Sequence, residues 1–477
     1  MGYLAAVKTR EKVWANWHLL RKRADWRFCR GLVFGLVGVL TACSPVASTG
    51  AQASDWPAKA VQWFERAEAS YRDLDTEDAR RSVEQTLAIL PDEPKVRLLA
   101  GRIALASLDY DSCIAALKGV PGTDAGALRG RAYWYSGKLE LAATELSRVL
   151  SEPSFRDPWV EGVAYLARNG AGRNPFRQTG DSLAVVSMPR LDHPAFVLPV
   201  ELNGQPVFGL VSTGRSEVVV DSSTGNSASW VNLRFGGRIE VKDVPALAED
   251  LSGISKVVGV PVKILLGSHL LRHLNVTFDY LGRQFVVRNY LTPAPPLATK
   301  VPLSYLNGGR MAIRAAAGTV SEGDHLALLI DSRTSWSLAL NGAAWQRLLA
   351  YVPKERIVVA KEGTSVASVP EVKLGALSLS NVPTLSGVEF GKKLETDASV
   401  ELDGLVGSGL LGGFRVSLTD GGRAAWLEEF PLHLLQRGAA APSRGGASSE
   451  AVTGSDVPPS KPSVDGEKAA PSPGSEN

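Results

Sequence analysis

The chain has 477 residues, 44% of them hydrophobic and 21% charged, a composition typical of an ordinary globular protein. The formal net charge is only +3 and no Lys/Arg-rich groove is visible, so the sequence predicts no nucleic-acid partner. Its three cysteines are too few and too scattered for a disulfide framework or a zinc site, and we expect neither a metal nor a cofactor.

The N-terminal segment is typical of a secretory signal. Basic residues precede an apolar run, residues 31–40, which is too short to span a bilayer. Leu40-Thr41-Ala42-Cys43 resembles the bacterial lipobox, in which cleavage leaves the cysteine as the first residue, carrying lipid. We therefore expect a signal peptide over residues 1–43, with Cys43 as the lipid-attachment residue that anchors the protein in a membrane. Ser44 resembles the pattern sorted to the outer membrane, so the expected location is the outer membrane, facing the periplasm. The alternative is a plain signal peptide with a coincidental cysteine.

Residues 54–170 are predicted to be helical, because apolar residues recur at spacings of three and four between regular turn signals. Small residues twelve positions apart indicate where paired helices would pack most closely; the pairs are Ala67 and Ala79, Gly101 and Cys113, and Gly130 and Ala142. The pattern resembles three tetratricopeptide repeats, which implies a solenoid whose concave face binds peptides or partner proteins. Cys113 is accordingly predicted to be a small core residue and not a reactive thiol.

From about residue 181 the sequence changes to short Val- and Leu-rich strands separated by glycine-containing turns. Asn203-Gly204 joins two alternating apolar runs and predicts a tight hairpin. After residue 435 large apolar side chains become rare, so residues 436–477 are predicted to be a disordered tail.

The β region contains an internal repeat. The segment that begins at Leu265 aligns without a gap with the segment that begins at Leu405, and both carry Gly-Ser, Leu-Leu and Gly-Arg at matching positions. Upstream of each lies a related loop, LVSTGRS from Leu210 and LIDSRTS from Leu329. Two copies of one β unit in a single chain predict an intramolecular pseudo-dimer.

These motifs resemble the pepsin and retropepsin group of aspartic proteases. In that group each lobe has an Asp-Thr/Ser-Gly loop, and an apolar-apolar-Gly segment threads beside it; Leu265–Gly267 and Leu405–Gly407 match this second element. The resemblance implies a bilobal all-β domain, with lobe 1 over residues 190–290 and lobe 2 over residues 300–432. The predicted fold class is therefore multidomain α + β, an N-terminal tetratricopeptide-like solenoid followed by an aspartic-protease-like domain.

The resemblance also identifies the catalytic positions as Ser212 and Asp331. Hydrolysis in this group needs two carboxylates that share one proton, and a serine hydroxyl cannot replace a carboxylate. Losing one acid–base group costs about a hundred- to ten-thousandfold in rate. Arg333 stands where the second loop should have its glycine, and an arginine there can pair with Asp331 and hold it charged. Both positions are therefore predicted to be degenerate and the protein to be catalytically inactive.

Several histidines and aspartates of the β region are alternative candidates for the site. The histidines within the two predicted lobes are His193, His269, His273 and His325. Their spacing pairs none of them with Ser212, so a serine hydrolase is not predicted. His269 and His273 lie four apart without a further ligand, and we expect exposed helical histidines, not zinc ligands.

Three aspartates are expected to cap turns or strand ends, and not to replace the missing carboxylate: Asp221, Asp250 and Asp279. Residues 230–241 are the candidate for a flap hairpin over the cleft.

The predicted function is that of a membrane-anchored lipoprotein with an inactive pepsin/retropepsin-like domain. It would act as a scaffold that binds a protein or an extended peptide through its helical repeats and its cleft. One alternative is an active aspartic endopeptidase centred on Asp331. Another is that only the helices function and the β region is a spacer.

Overall fold

The computed structural model describes residues 56–191, 195–225, 227–319, 323–353, 357–359, 364–389 and 400–430. Helices form its N-terminal part and strands dominate the rest, which confirms the predicted order of a helical segment followed by a β region. The predicted signal peptide with Cys43 and the predicted C-terminal tail lie outside the described residues.

Helices of the N-terminal part end before the first strand, and short helices recur within the β region. The described α-helices are α1 (Ala58–Arg72), α2 (Thr76–Ile89), α3 (Pro94–Ala106), α4 (Tyr110–Ala116), α5 (Thr123–Tyr135), α6 (Leu139–Leu150), α7 (Pro158–Arg168), α8 (Ser252–Val258), α9 (Ser268–His273), α10 (Gly342–Leu348) and α11 (Ser408–Leu411). None of these described helices has the length and apolar composition that crossing a bilayer requires.

The described strands follow in chain order. They are β1 (Arg177–Gly180), β2 (Leu183–Ser187), β3 (Val197–Leu202), β4 (Gln205–Ser212), β5 (Val218–Asp221), β6 (Ser229–Phe235), β7 (Ile239–Glu249), β8 (Val262–Gly267), β9 (Asn275–Asp279), β10 (Gln284–Arg288), β11 (Thr299–Pro302), β12 (Ser304–Leu306), β13 (Arg310–Gly318), β14 (Gly323–Asp331), β15 (Leu338–Leu340), β16 (Val358–Val359), β17 (Ser365–Leu374), β18 (Leu377–Leu385), β19 (Gly404–Gly407), β20 (Phe414–Thr419) and β21 (Ala424–Glu429).

Aspartates begin several of the N-terminal helices. The side chain of Asp75 accepts a hydrogen bond from the backbone at the start of α2, and Asp109 does the same for α4. Asp157 caps α7, whose first residue is Pro158. A capping side chain satisfies an N–H group that has no partner within its own helix, and proline loses nothing at this position. The sequence therefore defines where these helices begin.

Small residues allow consecutive N-terminal helices to pack closely. A Cβ atom at Gly101 would lie 2.7 Å from Leu117 Cγ, and one at Gly130 would collide with Leu146. Cys113 is fully buried among apolar side chains, and burial raises the pKa of its thiol to about 12. Cys113 is thus a core residue, as the spacing predicted, since a buried neutral thiol is a poor nucleophile.

The strands form three sheets within the described part of the chain. A seven-stranded sheet has the order β1-β7-β5-β8-β4-β3-β6, and an eight-stranded sheet the order β12-β13-β14-β19-β15-β18-β17-β16. A six-stranded sheet has the order β11-β21-β20-β9-β10-β2 and so takes strands from both halves of the β region. We keep the name lobe 1 for residues 190–290, which contain every strand of the seven-stranded sheet except β1, and the name lobe 2 for residues 300–432, which contain every strand of the eight-stranded sheet.

The two lobes share the same central strand arrangement. In lobe 1, β4 pairs in parallel with β8, and Ser212 lies opposite Gly267. In lobe 2, β14 pairs in parallel with β19, and Asp331 lies opposite Gly407. The next strand of each lobe, β5 or β15, then pairs antiparallel with β8 or β19. The repeat found in the sequence is therefore present in the strand topology.

The six-stranded sheet places the two repeats around an approximate two-fold axis. At its centre β9 and β20 run antiparallel, with Thr277 opposite Ser417. These residues are 140 positions apart, the offset of the sequence repeat, and their hydroxyl oxygens are 2.7 Å apart. Two equivalent residues of a repeat can lie opposite each other only close to the axis that relates the repeats. Thr277 and Ser417 therefore locate the axis in this sheet.

Candidate functional site

The loops that follow β4 and β14 meet at the centre of the β region. We call residues 212–214 and 331–333 the signature loops. The Thr213 hydroxyl donates to Ile330 O (2.8 Å) and accepts from the Ser332 N–H (2.9 Å). In return, the Ser332 hydroxyl donates to Val211 O (2.8 Å) and accepts from the Thr213 N–H (3.3 Å). Four reciprocal buried hydrogen bonds thus hold the signature loops against each other.

The glycine that ends the neighbouring strand pairs with the first residue of each signature loop and packs against the segment that follows the loop. A Cβ atom at Gly267 would collide with Glu217 O, and one at Gly407 would collide with Thr334. Any side chain at these positions would push the segments apart, so glycine is required on both sides. The structure therefore brings together both elements that the sequence singled out in each lobe.

Ser212 lies at the end of β4, where the first loop would need a carboxylate. Its side chain is 0% exposed, and among the described residues its Oγ has no hydrogen-bond partner. A serine hydroxyl cannot carry a negative charge at any working pH. The first loop therefore packs against the second loop but supplies no side chain that could act as an acid or a base.

Asp331 forms an ion pair with the residue two positions later, Arg333. Arg333 donates from Nε to Oδ1 (2.9 Å) and from Nη2 to Oδ2 (2.8 Å), while its backbone N–H donates to Oδ1 (3.0 Å). Burial acts to raise the pKa of Asp331, but the charge and hydrogen bonds of Arg333 outweigh it and hold this pKa below its usual value. The ion pair expected from the sequence is present, and it keeps Asp331 ionised.

The first signature loop touches Asp331 through its glycine. A Cβ atom at Gly214 would lie 3.0 Å from Asp331 Cγ. At the corresponding position of lobe 2, Arg333 carries a long cationic side chain that folds back onto Asp331. The two loops therefore differ at all three positions, conservatively at Thr213 and Ser332 but with a change of charge at the first and third positions.

A second ion pair lies beside the first. Arg215 makes a bidentate contact with Glu249, with N–O distances of 2.7 and 2.9 Å. The charge of Arg215 helps to lower the pKa of Asp331, and the charge of Glu249 helps to raise the pKa of Arg333. The site thus contains two arginines and two carboxylates, which are formally neutral together. Sequence analysis missed Glu249 because it lies 34 positions from Arg215, at the end of β7.

The other acidic candidates cap strand ends and turns. Asp221 accepts a hydrogen bond from the Leu251 N–H (3.0 Å), and Asp279 pairs with Arg415 (2.9 Å). Asp250 accepts from a backbone N–H two residues later (2.8 Å). These positions agree with the predicted capping roles. Within the described residues, none of the three aspartates contacts Asp331.

The expectation of two exposed histidines was wrong for His269. Its side chain is 3% exposed, and Nδ1 lies 3.1 Å from Glu217 Oε2. His273 is exposed and stacks on Phe176, with the ring centroids 4.3 Å apart. The sequence pattern failed because α9 is only six residues long and is inserted between the lobe and the N-terminal helices. His193 lies outside the described residues, and among those described no group of three or more His, Cys, Asp or Glu side chains could hold a metal ion.

The hairpin proposed as a flap forms, but it packs elsewhere. Strands β6 and β7 pair antiparallel around Gly236 and Gly237, and a Cβ atom at Gly236 would lie 3.3 Å from Val185 O. At its other end, Trp230 donates from Nε1 to Leu166 O (3.2 Å) in α7. The described contacts therefore place this hairpin against β2 and the N-terminal helices, not over Asp331.

The site is a pair of interlocked loops that hold the buried Ser212 hydroxyl and the Asp331–Arg333 ion pair, with the Arg215–Glu249 ion pair beside them. No protein-family model matches the chain, and no curated protein matches it. The chemistry that the site supports is therefore inferred from its own geometry.

Proposed function

We propose that the β region is a bilobal module of the pepsin and retropepsin type that binds extended peptides without cleaving them. The reciprocal hydrogen bonds between Thr213 and Ser332 support the bilobal interpretation, because they join equivalent positions of the two repeats. The parallel pairing of each signature strand with a glycine-ended strand supports it as well. Strand-like peptides bind in such clefts largely through their backbone groups, which do not require a catalytic dyad.

The proposed absence of hydrolysis rests on one observation, the bidentate contact between Arg333 and Asp331. A general base must accept a proton from water, and a second group must protonate the carbonyl oxygen. Asp331 already accepts three hydrogen bonds from Arg333, and Ser212 supplies no second acid. The cleft is thus suited to holding a peptide and not to cutting it.

The wider proposal places this module in the cell envelope. In this proposal Cys43 carries the lipid that anchors the protein, which sits at the outer membrane and faces the periplasm. The N-terminal helices are tetratricopeptide-like, and close packing at Gly101 and Gly130 supports that assignment. A protein or peptide partner is recruited by the anchored chain.

Cleavage and binding can be measured on one substrate. The purified protein and an Asp331→Ala variant are incubated with reduced, carboxymethylated casein from pH 3 to pH 7, and products are followed by mass spectrometry. We expect no cleavage that depends on Asp331. Cleavage by the wild-type protein that Asp331→Ala abolishes would instead establish an active endopeptidase.

Binding of fluorescein-labelled carboxymethylated casein tests the cleft itself. Gly214→Leu adds a side chain whose Cβ alone would lie 3.0 Å from Asp331 Cγ, whereas Gly253→Leu adds the same side chain in α8, where no atom lies within 4 Å of the added Cβ. We expect fluorescence anisotropy to show at least a tenfold weaker affinity for Gly214→Leu, about 1.4 kcal/mol, and wild-type affinity for Gly253→Leu. Equal affinities in two variants with wild-type melting temperatures would place peptide binding outside the cleft.

A further inference from the structure

The C-terminal ends of α3 and α5 contact both lobes of the β region. In α5, Trp134 donates from its indole N–H to Glu217 Oε1 of lobe 1 (3.4 Å). In α7, Trp159 donates to the same oxygen (3.2 Å). Glu217 lies five residues after Ser212 and is 3% exposed, so these indoles reach a carboxylate next to the first signature loop.

Glu217 remains ionised although it is buried. Burial acts to raise its pKa, but His269, Arg272 and the Trp159 indole outweigh burial and lower this pKa below its usual value. Removing one partner of a buried charge is costly, because the charge is then left incompletely paired. The contact between the helices and lobe 1 is therefore specific and not merely apolar.

The same helices also hold lobe 2, at the turn between β12 and β13. A Cβ atom at Gly308 would lie 2.7 Å from Leu105 in α3 and 3.1 Å from Tyr135 in α5. A Cβ atom at Gly309 would lie 2.7 Å from the Tyr135 hydroxyl. This turn can enter the space between α3 and α5 because neither residue has a side chain.

Lobe 2 also completes the C-terminus of α3. Arg423 donates to Ser107 O (3.3 Å) and Leu108 O (3.1 Å), carbonyls that follow the last turn of this helix. Carbonyls at a helix end have no partner within the helix, and a cationic side chain can satisfy them. Apolar residues of α1 and α3 share a cluster with residues of lobe 2, among them Phe64, Leu99, Leu306 and Leu329.

The three parts of the chain meet around Tyr135. Its ring lies 4.9 Å from the His269 ring, and the Arg272 guanidinium lies 4.8 Å from its centroid, both in lobe 1. Arg272 in turn donates to Gly308 O of lobe 2 (2.6 Å). A change in the relative position of the lobes would therefore disturb their shared contacts with α5.

We propose that the helical segment is a clamp that binds both of the chain's own lobes and fixes their relative position. In this proposal the ends of α3 and α5 are occupied by the β region of the same chain. Any other partner of the helices would have to bind a different face of the helical segment. The clamp is independent of the peptide-binding function, since it concerns contacts within the chain. It would hold equally for an active enzyme.

Hydrogen–deuterium exchange on the full chain tests the clamp. Trp134→Phe keeps an aromatic ring but removes the N–H that reaches Glu217, a contact with lobe 1 alone. We expect amides of residues 304–311 in lobe 2 to exchange roughly fivefold faster, because α5 holds both lobes and its loosening frees both. Glu217→Gln, which removes the charge with little change of shape, should have the same effect.

The control is Trp426→Phe, which changes a tryptophan on β21 whose ring lies near Lys300. It should leave exchange at residues 304–311 at the wild-type rate. The clamp is overturned if Trp134→Phe and Glu217→Gln accelerate exchange only within residues 213–217 and 268–273. It is equally overturned if the control accelerates residues 304–311 as much as Trp134→Phe does.

Discussion

At the scale of single residues, Arg333 decides the chemistry of the site. The signature loop of lobe 2 keeps the aspartate and the small hydroxyl residue but has an arginine where a glycine would leave the carboxylate open. Arg333 is about one-third exposed and Asp331 is largely buried, so the charged pair is partly shielded from water. Asp331 is thus held in its ionised form, whereas a general acid must be protonated.

Replacing Arg333 by glutamine should raise the pKa of Asp331. In the wild-type protein this pKa is below the ordinary value of 3.8, so Asp331 stabilises the fold above that pH and loses this contribution as the pH falls through the folded-state value. Without Arg333, burial acts with less opposition and the pKa should rise. Carboxyl ¹³C NMR titration measures it. Arg347→Gln, which removes the partner of Asp403, is the control, and an unchanged Asp331 pKa in Arg333→Gln would contradict the assignment.

At the scale of elements, the pairing of each signature loop with a glycine-ended strand defines the β region. These pairings could be predicted because each motif lies within a short stretch of sequence and occurs twice. The ion pair between Arg215 and Glu249 could not be predicted in the same way. Its members lie on different elements, and only the parallel pairing of β5 with β7 brings Glu249 near the loop.

Gly267→Ala should destabilise the protein by roughly 2–4 kcal/mol, since the new methyl group meets backbone atoms that cannot simply rotate away. A Cβ atom at this position would lie 2.6 Å from Ser216 O and even closer to Glu217 O. Gly253→Ala, in the open α8, should be neutral or stabilising by up to about 1 kcal/mol. Urea unfolding measures both variants, and equal free energies of unfolding would show that β8 does not press against the loop.

At the scale of the whole molecule, the helices and the lobes are joined through buried polar groups. The helical segment, the repeat and the two-fold arrangement were all predictable, because periodicity and duplication are visible along the chain. The role of Glu217 was not, because its partners Trp134 and His269 lie 83 and 52 positions away. His269 was misjudged for the same reason, since helical spacing alone does not reveal what covers a helix.

The buried pair of Glu217 and His269 should make the stability of the protein sensitive to acid. Burial lowers the pKa of His269 below 6.5, although Glu217 opposes it, so the fold favours the neutral imidazole. The associated stability is complete above pH 6.5 and is lost as the pH falls towards the folded-state value. The free energy of unfolding should therefore decrease from pH 7 to pH 5, and less steeply in His269→Gln. Urea unfolding at each pH measures the slopes, with the exposed His325→Gln as the control; a slope in His269→Gln equal to that of the control would refute this prediction.

In the proposed function the signature loops keep the geometry of a two-carboxylate site and lack only the second carboxylate, which Ser212 replaces, and an Asp331 free of Arg333. The most direct measurement is cleavage of carboxymethylated casein between pH 3 and pH 6 by the Ser212→Asp, Arg333→Gly double variant. We predict Asp331-dependent cleavage by this variant and none by the wild-type protein. A folded double variant that leaves casein intact, or a wild-type protein that cuts it through Asp331, would contradict the account.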